Sequence, residues 1–197
     1  MAAGSDSDGG SVLDRVGTDM VGPIARRYFV SNGFDGALTG VGVTVGAYLS
    51  GIDEGLTVVS LGLAAAVGLC TSGVWSVWEI ERAEMRAEIQ ETEEAMLADL
   101  SDTQVERDKM SNQVVNAAMS GLGPLLGLVL PLTPFLLEAT VLTMFEATIA
   151  SVAVAVGVLF TFGAYMASIS RQRWYVAGAR MGLAGIVVAV INVFLPG

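Results

Sequence analysis

The chain has 197 residues, 53% of them hydrophobic and only 15% charged, with a mean hydropathy of +0.62, where a soluble domain carries about 25% charged residues. Its net charge of −10 opposes nucleic acid, which needs a basic footprint. With no histidine, and Cys70 as the only cysteine, His-based metal sites, Ser-His-Asp and Cys-His catalysis and intrachain disulfides are excluded. No nucleophile–base pair or nucleotide loop points to an enzyme. The single Lys, the excess of Asp and Glu and a pI near 4.3 point to a salt-adapted proteome.

Residues 1–22 are rich in Gly, Ser and Asp and read as a disordered acidic tail, without the basic and apolar regions of a secretory signal. Five apolar stretches follow, at about 28–52, 56–78, 114–132, 146–168 and 174–195. Each supplies close to the roughly 20 residues that a helix needs to cross a hydrocarbon core. The expected fold is therefore an all-α integral membrane protein. It has five transmembrane helices in one domain, 23–197, with a short cytoplasmic helical insertion, 79–113, between the second and third. With the N-terminus and 79–113 cytoplasmic and the C-terminus outside, all 10 Lys and Arg residues fall on the inner side, Arg180 by snorkelling. The outer loops hold only Asp53, Glu54 and Glu138, the positive-inside pattern of a cell-membrane protein.

In the first stretch, Asp35 lies eight residues past Arg27, about 12 Å along a helix. A carboxylate at that depth costs about 2.5–3.5 kcal/mol and commonly faces a cavity, an ion path or a proton relay. The competing reading is a neutral Asp35 bonded to a helix end or to Asn32. Gly36/Gly40 and Gly42/Gly46 have GxxxG spacing, which serves close helix packing or, more sharply, a pathway or a dimer axis. Cys70 in the second stretch is a soft donor, as are Met119, Met144 and Met166, although such residues also fill cores.

The insertion carries eleven acids against four bases, and the second span is expected to run straight into it. Glu81, Glu84, Glu88 and Glu91 share one helical face. Hard divalent cations favour carboxylate oxygens, so this face is a candidate metal collector; the plain alternative is a solvated acidic face. Met85, Ile89, Met96 and Leu100 form a neighbouring apolar stripe, and Ser101–Asp102 reads as a break that starts a second helix. Near the outer end of the fourth stretch, Glu146 is a candidate proton or ion relay, or else an interfacial carboxylate.

The run Ala25–Gly46, with Asp35-Gly36 at its centre, resembles the first helix of the vacuolar iron transporter family. The sequence from Trp78 to Glu88 is similar to the Glu-rich helix that leaves that family's second span. Leu130-Pro-Leu-Thr-Pro134, Phe162-Gly163-Ala164 and Ala179–Gly185 resemble its third, fourth and fifth spans. The similarity covers roughly residues 25–197 and is greatest to a small archaeal-type subgroup. It implies five spans, a homodimer in membrane lipid, and export of Fe²⁺ or Mn²⁺ from the cytoplasm in exchange for protons, with the ion as cargo and no resident cofactor. It also implies Asp35 on the transport pathway and Glu81, Glu84, Glu88 and Glu91 as metal-binding residues. The sequence departs from the family where the second span often reads Ser-Met-x-x-Gly-Glu-Tyr. Cys70 stands in place of the Met and Val74 in place of the Glu. Cys70 is the soft donor left at that level of the pathway. Beside this reading stands a non-transporting scaffold or sensor whose cytoplasmic helices bind a partner through the Met85/Ile89 stripe.

Overall fold

The structure, a computed structural model, describes residues 22–97, 104–138 and 140–194, with side chains omitted over 104–109. The acidic tail (all but Gly22), Leu100 of the apolar stripe and the break at Ser101–Asp102 thus lie outside the described residues. Five α-helices make up the described chain: α1 (Pro23–Leu49), α2 (Gly55–Met96), α3 (Gln104–Leu132), α4 (Met144–Ser170) and α5 (Trp174–Phe194). A short 3₁₀ segment, Thr133–Leu137, follows α3. No strand occurs among the described residues.

Local sequence sets the helix ends. Pro23 opens α1 at a position where its missing N–H is no loss. The 42 residues of α2 run unbroken, about 63 Å at 1.5 Å per residue and twice the hydrocarbon thickness. The second stretch therefore does continue into the acidic helix, which ends where Leu97 turns left-handed at φ 50°. Thr143 and Glu146 form a capping box at the start of α4. Arg171, also left-handed at φ 54°, stops α4 and turns the chain tightly into α5.

Four segments are long and apolar enough to cross a membrane: α2, α3 with its 3₁₀ extension (Met110–Leu137), α4 and α5. The first helix is not among them, because Asn32, Asp35, Thr39, Thr44 and five glycines dilute its hydropathy. Packing supplies the reason. α1 touches all four other helices, so much of its surface meets protein rather than lipid. A helix so placed tolerates polar and small residues that a lipid-facing helix does not. By contrast α2 and α5 turn Leu63, Val67, Trp75, Val187, Val190 and Phe194 outward.

The tightest contact is between α1 and α3. A methyl group on Gly36 would sit 2.6 Å from the Cα of Pro124, and one on Gly40 would touch Pro131 at 3.6 Å. Gly123 and Gly127 of α3 answer from the other side, against the backbone carbonyls of Phe29 and Gly33. The Gly36/Gly40 spacing is thus used for packing inside the chain. Gly46 has open space around it, and Gly42 has only Asn192 nearby, at 3.9 Å. One apolar core, including Ala47, Val58, Leu128, Leu132 and Phe135, lies where the end of α1, the start of α2 and the end of α3 meet; a smaller one joins Val41 and Val45 to Ala155 of α4.

Candidate functional site

Asp35 reaches its position through its neighbours. Gly36 lets Pro124 lie directly against α1, and Asp35, one residue before, emerges at the edge of that contact. Pro124 has no N–H, so the carbonyl of Ser120, four residues earlier, loses its helical partner. Asn32 of α1 replaces it: its Nδ2 donates to the Ser120 carbonyl at 3.2 Å and to the Ser120 hydroxyl at 2.5 Å. Gly73 of α2 sits over this pair, where a Cβ would lie 2.9 Å from the Ser120 carbonyl. The carbonyl freed by the proline is thereby satisfied by a side chain from another helix, and the three helices meet at one level.

That level opens into a cleft of about 140 Å³ lined by Asn32, Asp35, Leu69, Ser72, Gly73, Ser76 and Pro124. Asp35 is exposed within it, and among the described residues no hydrogen bond engages its carboxylate. Asn32 does not hold Asp35; its amide belongs to Ser120. The cleft presents a carboxylate and two serines, all oxygen donors.

Cys70 lies on a different face of α2. Its thiol donates to the carbonyl of Gly121 at 3.2 Å and is absent from the cleft lining. The structure does not bring Asp35 and Cys70 together.

Along the C-terminal extension of α2 lies an open groove of about 370 Å³. Its lining includes Glu81, Glu84 and Glu88, with Asn112 and Asn116 of α3 and Pro23 at the start of α1. Tyr28 of α1 lies close to the Glu81 and Glu84 carboxylates. Glu91, one turn further out, is exposed and does not line the groove. Among the described residues no three carboxylate or thiol groups converge on one point as a closed metal shell. The groove presents three carboxylates and two amides on an open surface.

Groove and cleft are stacked. Tyr28, Asn32, Asp35 and Thr39 follow i, i+4, i+7, i+11 spacing and form one polar stripe along α1. Tyr28 and Asp35 are seven residues apart, about 10 Å of rise. Ser76, in the cleft, precedes Glu81, in the groove, by just over one turn of α2.

Glu146 stands apart from both. Its carboxylate accepts from the Thr143 backbone N–H at 2.8 Å and from the Thr143 hydroxyl at 2.9 Å, closing the cap of α4. Acid and thiol chemistry does not single out Tyr28, Ser72, Asn112 or Asn116; the polar periodicity of α1 signals Tyr28, whereas Ser72, Asn112 and Asn116 are brought to the cleft and groove by the packing of α2 and α3.

A model of the VIT family matches residues 76–196. The match begins late in the apolar part of α2, downstream of Asp35 and Cys70, and includes the groove glutamates. An uncharacterized protein of Methanocaldococcus jannaschii is 22% identical over 173 residues, covering 86% of this chain and 87% of its own length. No solved structure matches. The family match takes in more than half of a largely apolar chain whose described residues form helices without strands and whose Glu-rich helix leaves its second apolar stretch; the chain belongs to the VIT family, a family of membrane metal-ion transporters.

Proposed function

We propose that the protein exports a divalent cation, Fe²⁺ or Mn²⁺, from the cytoplasm in exchange for protons. The observation that carries this reading is the stacking of the glutamate groove beneath the Asp35 cleft along one polar stripe of α1. Glu81, Glu84 and Glu88 collect the ion from solution, with Asn112 and Asn116 supplying neutral oxygens. The ion then passes to Asp35, Ser72 and Ser76. Oxygen donors suit hard or borderline divalent ions. Cys70, turned to Gly121, stands beside this route rather than on it. Asp35 is the group suited to exchange a proton for the ion, since a carboxylate within a membrane gains from either partner.

In this reading α1 is a fifth span. Its 27 residues extend about 40 Å, enough to cross the bilayer. The N-terminus and the α2 extension are then cytoplasmic and the C-terminus lies outside, as the distribution of Lys and Arg favours. A homodimer fits the same geometry. An exposed Asp35 beside Ser72 and Ser76 is unfavourable against lipid, and a second copy laid over this side of α1 and α2 removes it from the hydrocarbon.

The test is initial-rate Mn²⁺ flux in proteoliposomes. Glu81→Gln/Glu84→Gln/Glu88→Gln should raise the half-saturating Mn²⁺ concentration by about ten-fold or more, because ligand charge sets affinity at open oxygen sites. Glu91→Gln should leave it unchanged. Unchanged saturation in the triple variant would remove the groove from the route.

One observation favours the scaffold or sensor reading. Trp78, Met85, Ile89 and Met110 line a larger groove, of about 690 Å³, on the α2 extension. A protein that acted only by docking there would be insensitive to substitution of Asp35.

A further inference from the structure

The cytoplasmic end of the molecule is divided by charge. The acids gather on the α2 extension, whereas no Asp or Glu occurs from Gly22 to Phe34 or from Ala147 to Phe194. The bases Arg26, Arg27, Arg171 and Arg173 lie in these acid-free segments. Between the first turn of α1 and the last turns of α4 is a cleft of about 200 Å³, lined by Pro23, Arg26, Arg27, Met166 and Ile169. Among the described residues neither arginine is ion-paired; Arg27 only approaches the Tyr28 ring, at 5.8 Å.

The cleft sits at the depth where a membrane ends. Trp174 and Tyr175, at the start of α5, are exposed and stack edge to face, and such aromatic residues mark the headgroup level. Met166 and Ile169 close the apolar run of α4, just before the turn at Arg171. Ile169 is 46% exposed. The arginines therefore lie at the polar end of an apolar wall that continues into the bilayer.

We propose that this cleft seats an anionic phospholipid of the cytoplasmic leaflet. Arg26 and Arg27 hold the headgroup phosphate, and Met166 and Ile169 receive the first methylenes of an acyl chain. Charge complementarity selects this occupant. The chain as a whole carries a net charge of −10, yet here two arginines share a lining that holds no carboxylate. Guanidinium groups bind phosphate oxygens in pairs, and basic clefts beside membrane helices recognise lipid headgroups. The site is separate from the metal route, and the proposal stands whether or not the protein transports.

The experiment is native mass spectrometry of the full-length protein, released from detergent with equal amounts of dioleoyl phosphatidylglycerol and dioleoyl phosphatidylcholine. Wild type should retain phosphatidylglycerol preferentially. Arg26→Gln/Arg27→Gln should lower that preference by about ten-fold or more, at about 1 kcal/mol per base. Arg82→Gln/Arg86→Gln, which removes as much charge from the α2 extension, should leave it intact. Ile169→Gln keeps both charges and tests the acyl half independently; it too should weaken retention. Equal loss in the two arginine pairs would overturn the proposal in favour of diffuse surface charge. Displacement of the lipid by soluble glycerol phosphate at matched concentration would overturn it in favour of a free-anion site. Burial of the cleft in lipid-free dimer alone would assign it to a second copy.

Discussion

Asn32 illustrates how one side chain holds the site. Pro124 frees the Ser120 carbonyl, and Asn32 takes it up from across the helix pair. Asn32→Ala should lower stability by about 1–3 kcal/mol, the range for an orphaned buried polar group, read as thermal unfolding in detergent. Pro124→Ala restores the missing N–H, so the same Asn32 substitution made on that background should cost less. Additive losses would show that the two residues act separately. Glycines give a second contrast. Gly36→Ala forces a methyl against Pro124 and should destabilise by about 1–3 kcal/mol, whereas Gly46→Ala meets nothing within 4 Å and should be tolerated. The identity of Asp35 as the unusual residue was legible from the sequence, because a charge eight residues into an apolar stretch stands out. Its partners were not. Asn32 looks like a companion for Asp35 when only α1 is read; its true acceptor lies 88 residues away and becomes needy only through a proline on another helix.

At the scale of elements, the apolar stretches in the sequence match the helices closely, since long apolar runs bounded by charge and proline leave little choice. The unbroken α2 was legible for the same reason: nothing between Trp78 and Met96 stops a helix. The start of α4 was misread in emphasis rather than position. Thr143-Met-Phe-Glu146 is a capping-box sequence, a signal legible in the sequence beside the relay reading of Glu146. Thr143→Ala should destabilise by about 1 kcal/mol through loss of the cap, and Glu146→Gln should destabilise in the same direction, both read as thermal unfolding in detergent. If Glu146 serves only the cap, the two substitutions should leave flux per folded protein alike. Loss of flux in Glu146→Gln alone would restore a relay role. The helix that escaped the hydropathy criterion, α1, did so for a physical reason: packed against all four other helices, it need not be apolar.

For the whole molecule, spacing along α1 and α2 gives the order of the glutamate groove and the aspartate cleft, but not the walls that α3 adds to each. Those walls depend on α1, α2 and α3 meeting at one level, which glycine and proline contacts decide. Charge is separated in the same way, with the acids gathered on the α2 extension and Arg26 and Arg27 in a cleft without carboxylates. Cys70 marks the limit of reading residues one at a time: its chemistry suits a soft metal, but helix phase turns it toward Gly121. The central claim, that Asp35 is the exchange point of a divalent-cation path, is tested most directly by Mn²⁺ flux into proteoliposomes with and without a pH gradient, comparing wild type with Asp35→Asn at matched folding and insertion. The account predicts gradient-dependent flux in wild type and a fall to the protein-free background in the variant. Wild-type flux that survives in Asp35→Asn, or no flux of Mn²⁺ or Fe²⁺ by correctly inserted protein, would contradict it.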